Sequence, residues 1–177
     1  MSTEATQPLS LLHVDFGELY SRHLGRHSQF GINVAHLAAL YGLWFGVYAA
    51  IYQAILLMGI PGGWLVLVAL AFCYLASVGV NAPYSVCLAT AVFLAIFVAS
   101  VIALPPLPGW SILVFLVMVP VCYKLQAWSH KIWTVGADMT EFNKRFPPGR
   151  TLNSILLVYE VPICLNYLLF RRQDWRR

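Results

Sequence analysis

The sequence predicts an all-α integral membrane protein: an antiparallel bundle of four transmembrane helices, with a fifth apolar helix and an N-terminal helix lying along the membrane surface. Three observations carry this. Of the 177 residues, 60% are hydrophobic and 10% charged, with a mean hydropathy of +0.72, whereas soluble domains carry roughly a quarter charged residues. From His27 to Tyr123 there is no Asp, Glu, Lys or Arg, a run long enough for about four helices of ~20 residues. Clusters of Gly and Pro interrupt that run at short intervals, as turns between spans require.

The elements follow in order. Residues 1–12 are polar, with Glu4 and no Lys or Arg, so they lack the basic start of a signal peptide and the first apolar span is expected to remain. Residues 14–28 mix Phe16, Leu19, Tyr20 and Leu24 with Asp15, Glu18, Arg22 and Arg26 at helical spacing, the pattern of an interfacial helix. Four spans are predicted over residues 33–58, 64–80, 84–104 and 110–128, separated by Gly59-Ile60-Pro61-Gly62-Gly63, Asn81-Ala82-Pro83 and Pro105-Pro106-Leu107-Pro108-Gly109. Connections this short favour sequential antiparallel neighbours, hence one domain packed in chain order. Trp64, Tyr84, Trp110 and Trp128 stand at span ends, where amphipathic rings anchor at headgroup level. Tyr41, Trp44, Tyr48 and Tyr52 form a stripe on the first span and Gly42 with Gly46 a small-xxx-small contact, both read as packing. Cys73, Cys87, Cys122 and Cys164 sit in apolar runs without redox or metal spacing and read as small core hydrophobes.

Residues 129–151 form the only long polar loop, in which Asp138-Met139-Thr140-Glu141 has the spacing of a helix-start capping box. The fifth apolar segment, residues 152–170, contains Asn153, Glu160, Pro162 and Asn166, and either crosses or re-enters. Four spans place Arg22, Arg26, Lys131, Lys144, Arg145 and Arg150 on one side, which the distribution of basic residues assigns to the cytoplasm together with the N-terminus. A re-entrant fifth segment keeps the basic tail, residues 171–177, on that side too. The net charge of +4 then faces anionic lipid rather than nucleic acid, for which no basic stripe on a folded surface exists.

Helix parity makes the histidines informative. His36, near the start of the first span, and His130, past the end of the fourth, fall at one membrane face, where His23 and His27 also lie. The i, i+4 spacing of His23 and His27 suits two imidazoles on one metal, and equally suits a solvated face. His36 and Asn33 lie inside an apolar span, where polar groups need partners. Tyr123, Gln126 and His130 share one side of the fourth span, Pro120 is placed to bend it, and Lys124 is near enough to the interface to snorkel. Glu160 is the acidic residue inside an apolar segment, and Asn153, Glu160 and Tyr167 repeat every seven residues; an intramembrane carboxylate is a candidate for catalysis or for helix-helix glue. His23, His27, His36 and His130 are the candidate metal ligands and Glu160 the candidate catalytic group. Several imidazoles with one carboxylate suit iron, copper or zinc.

Tyr20 followed by His27, His36 nine residues later at the start of a span, and Ser129-His130 at the end of the fourth span together resemble the small membrane family of 2-hydroxy fatty acid dioxygenases of α-oxidation. The resemblance covers roughly residues 20–170, with Ser129 in place of the family's glycine. It implies a non-haem Fe(II) enzyme that uses molecular oxygen to shorten a 2-hydroxy fatty acid by one carbon, with His27, His36 and His130 matching the family's iron ligands. Two other readings accompany it: a small non-enzymatic carrier or scaffold, and a b-type haem protein with His36 and His130 as axial ligands.

Overall fold

The computed structural model describes residues 10–133, 140–145 and 149–175. These form seven α-helices: α1 (Phe16–His27), α2 (Phe30–Leu57), α3 (Trp64–Gly79), α4 (Tyr84–Ile102), α5 (Ser111–Ile132), α6 (Thr140–Arg145) and α7 (Arg150–Leu165). A π-helical turn, Asn166–Phe170, extends α7, and a 3-10 turn, Arg172–Asp174, follows it. Among the described residues there is no strand beyond an isolated bridge between Ser10 and His13. The fold is all-α, and four of its helices are long and apolar enough to cross a membrane: α2, α4, α5 and the continuous stretch Arg150–Phe170.

Local chemistry explains the boundaries. Asp15 caps α1 by accepting from the Glu18 amide at 3.0 Å, and Arg26 in the last turn complements the helix dipole. The corner between α1 and α2 is held by Asn33, whose Nδ2 donates to the carbonyls of His27 (2.6 Å) and Gln29 (2.9 Å). Gly59 and Gly62, at φ of +66° and +71°, turn the chain from α2 into α3 in a conformation that glycine adopts without strain. Gln53, buried in α2, donates to the Pro105 carbonyl and accepts from the Leu107 amide, satisfying backbone groups of a proline turn that has no helix of its own. Of the expected capping box, Thr140 opens α6, while Asp138 and Met139 lie outside the described residues.

The packing departs from chain order. α2 lies at the centre and touches α1, α3, α4, α5 and α7, and its broadest contact is with α5. The reason is steric: a Cβ at Gly46 would meet the Phe115 carbonyl oxygen at 2.5 Å and one at Gly42 the Cys122 sulfur at 2.6 Å, so only glycine permits this approach. Beyond this seam much of α5 is exposed, and only Ser111 and Ser129 are fully buried. At 16 residues α3 extends about 24 Å, short of the ~30 Å of a hydrocarbon core. Trp64, Tyr84, Trp110 and Trp128 are all exposed at helix ends.

The fifth apolar segment is where direction matters most. Ile155, Tyr159, Ile163 and Tyr167 of α7 and its π turn share one core with Phe16, Leu19 and Tyr20 of α1. The chain then returns to the same end of the bundle: the Tyr167 hydroxyl donates to the Ser28 carbonyl (2.6 Å), Tyr20 donates to Asp174 (2.7 Å), and Trp175 packs on Phe30. Pro162 cannot donate to the Val158 carbonyl one turn back, and the Tyr74 hydroxyl of α3 takes that acceptor at 2.6 Å.

Candidate metal centre

Three of the four candidate ligands converge. His27 from the last turn of α1, His36 from the second turn of α2 and His130 from the last turn of α5 each offer a ring nitrogen, all within 4.8 Å of one another. The Nε2 atoms of His27 and His130 stand 3.3 Å apart. Two imidazole nitrogens bound at ~2.1 Å to one ion are about 3.0 Å apart in octahedral and about 3.4 Å apart in tetrahedral geometry. That separation therefore already matches a shared ion.

His36 is aimed from behind. Its Nδ1 lies 2.9 Å from Glu160 Oε1, and Gln126 Nε2 donates to the same oxygen at 2.6 Å. A carboxylate on Nδ1 keeps the proton there and leaves the Nε2 lone pair free, the arrangement by which proteins orient metal-binding histidines. His36 Nε2 is buried without a hydrogen-bond partner. An orphaned acceptor at the centre of three imidazoles is costly unless an ion completes it.

His23, expected among the ligands, is turned elsewhere. Asn33 spends both amide hydrogens on the α1–α2 corner, so its Oδ1 faces His23 Nε2 at 2.6 Å and requires a proton on that nitrogen. The His23 ring stacks on His27 with centroids 4.3 Å apart and 14° between planes, which fixes the plane of the His27 ring. Burial pushes the His23 imidazole down to about 4, and burial followed by the neighbouring imidazoles depresses His27 as well. Both rings are thus neutral at pH 7, the form that binds metal. The His23 carbonyl approaches the His27 ring without closing a full hydrogen bond to the buried Nδ1.

Other candidates are distributed away from the centre. Tyr123, on the helix face expected to carry Gln126 and His130, is 65% exposed, and Lys124 is exposed as well. Asn153 is exposed in the first turn of α7, on the side away from the buried Leu152 and Ile155, while Tyr167 is buried on the Ser28 carbonyl. The convergence of Gln126 on Glu160 joins α5 to α7, a tertiary pairing that no local spacing signals.

An apolar cavity of about 340 Å³ lies between α2, α3, α4 and α7, lined by Tyr41, Trp44, Tyr48, Tyr74 and Phe97 among others. Its wall includes Leu40, one turn after His36, and Val161, next to Glu160. The aromatic stripe read as packing thus also lines a space of hydrocarbon character close to the histidines. Comparison of the chain with protein-family models, curated proteins and solved structures finds no match.

Proposed function

We propose that the protein is a membrane-embedded non-haem iron oxygenase acting on a lipid or fatty acid, with a 2-hydroxy fatty acid as the specific substrate that the sequence resemblance suggests. The observation that carries this reading is the three-imidazole centre, with His36 Nε2 orphaned and its Nδ1 held by Glu160. His27, His36 and His130 would hold the ion. Bound Fe(II) with open coordination positions supplies oxygen activation. The chain's own part is to keep three neutral rings aimed at one point, to hold the His36 proton on Nδ1 through Glu160, and to offer apolar walls for an acyl chain beside them.

The same geometry weighs against a haem held between His36 and His130. Their ring centroids are 4.9 Å apart at 85°, whereas two axial imidazoles on one iron need about 6 Å with the macrocycle between them. The contacts of Tyr20 with Asp174 and of Phe30 with Trp175 favour a re-entrant α7 that brings the C-terminal segment back to the face of α1, on the cytoplasmic side with the N-terminus.

The test is metal content and an absorption spectrum of protein purified in mild detergent without chelators, followed by oxygen consumption with 2-hydroxy fatty acids. Iron near one per chain without a haem band, and turnover lost in His36→Ala, is the expected result. Failure to take up Fe(II) anaerobically overturns the reading and leaves a carrier or scaffold.

A further inference from the structure

At the opposite end of α1 from the histidines, its first turn meets the α3–α4 connection and the end of α7 in a polar cleft of about 430 Å³. Asp15, Tyr20, Asn166 and Arg171 face it. Asn166 opens the π-helical turn, is only 6% exposed, and makes no side-chain hydrogen bond to any described residue. What remains accessible of the Asn166 side chain lies on this cleft, and π-helical turns concentrate at functional sites. Asn81 is part of the wall and not a free group, since it accepts from the Val14 amide and donates to the Leu11 carbonyl and the Tyr159 hydroxyl.

The charges define the ligand. Asp15 and Arg171 line one cleft without bridging each other. One Asp15 oxygen caps Glu18, and the Arg171 guanidinium stands 5.8 Å over the Tyr20 ring. A ligand that satisfies both charges carries a cation and an anion on one headgroup, with hydrogen bonds for the Asn166 amide. Exposed apolar residues border the cleft: Val80 in its wall, Tyr84 just beyond Pro83 and Phe170 next to Arg171. They give acyl chains a seat at the end of the bundle.

We propose that this cleft binds the headgroup of a phosphoethanolamine lipid, with Arg171 on the phosphate, Asp15 on the primary ammonium and Asn166 hydrogen-bonded between them. A choline headgroup has no N–H to give Asp15 and prefers an aromatic cage. A glycerol headgroup leaves Asp15 facing a net anion. The site is separate from the histidine centre and does not depend on it.

Native mass spectrometry of the full chain in mild detergent, with dioleoyl phosphatidylethanolamine, phosphatidylcholine and phosphatidylglycerol at equal concentration, tests the proposal. The ethanolamine lipid is expected to form the dominant adduct, at least fivefold over either competitor. Arg171→Gln, an exposed position whose change spares the core, should remove that excess. Asp15→Asn, which keeps a capping side chain, should make ethanolamine and choline lipids bind equally. Soluble phosphoethanolamine at the lipid's concentration should not displace the adduct; displacement would overturn the lipid assignment. Equal adducts for the three lipids in the wild type, or an excess that survives both substitutions, would overturn the site. Iron content is expected to be unchanged in both variants, so this site and the metal centre fail separately.

Discussion

Replacing Glu160 by Gln keeps the size of the side chain and an oxygen for His36 Nδ1, and removes only the charge behind the ligand. From Glu160 Oε1 the path to an ion crosses 2.9 Å to His36 Nδ1, about 2.2 Å across the ring and about 2.1 Å of metal bond, so the charges sit ~6–7 Å apart. For a divalent ion at an effective dielectric of about 20 to 40, that is ~2–5 kcal/mol of attraction. Outer-shell partners of this kind are worth ~10–100-fold in metal affinity, or about 1.4–2.8 kcal/mol. The expected loss of Fe(II) affinity in Glu160→Gln is therefore at least tenfold, smaller than in His36→Ala, which removes a ligand. Anaerobic competition against a chelator of known affinity measures it, with the thermal midpoint of the metal-free protein as a folding control. A Glu160→Gln variant that binds Fe(II) within twofold of wild type would refute the orienting role of the carboxylate.

Asn33→Ala frees the His27 and Gln29 carbonyls and leaves His23 Nε2 without its acceptor; it should lower stability by ~1–3 kcal/mol and weaken iron binding, read by thermal midpoint and metal titration together. Gly46→Ala places a methyl group 2.5 Å from the Phe115 carbonyl, and the overpacking should cost ~1–3 kcal/mol; an unchanged midpoint would show that α2 and α5 are not in this contact. Acid should destabilise the metal-free protein in a defined window. Burial holds His23 at about 4 when folded, whereas an unfolded histidine titrates near 6.5. The unfolded chain takes up a proton that the folded one refuses, so stability is full above about pH 6.5 and falls by roughly 3 kcal/mol toward pH 4 from His23 alone. Thermal midpoints at pH 7.5, 6 and 5 check this, and no decline across them would contradict a buried neutral His23. A cysteine added after Arg177 should react only from the side that carries α1; labelling from the other side would contradict a re-entrant α7.

The sequence made the helices and the convergence legible for different reasons. Hydropathy and Gly-Pro punctuation are local, and they located α2 to α5 to within a few residues. Helix parity then put His36 and His130 at one end without any knowledge of packing. What spacing could not do was choose between His23 and His27: an i, i+4 pair shares a face, and the choice was made by Asn33, a residue of the next helix with only one acceptor to give. Chain-order packing failed because Gly42 and Gly46 act across a gap of some seventy positions, drawing α5 onto α2. The course of α7 was ambiguous from composition because it depends on Tyr74 supplying the bond that Pro162 removes. Asn166 showed in the sequence only as one of the polar residues that made the fifth segment ambiguous, since its setting is made by the π turn.

The spacing of the three imidazoles along the chain has a consequence for biogenesis. His27 and His36 sit on either side of one corner and are presented together as soon as α1 and α2 have formed. His130 lies 103 residues after His27, and its arrival requires α3, α4 and α5 to be synthesised and inserted first. An ion bound by all three would close that long loop only once α5 is in place, so metal loading would report that stage of assembly: a chain that ends before His130 can present two rings but never three.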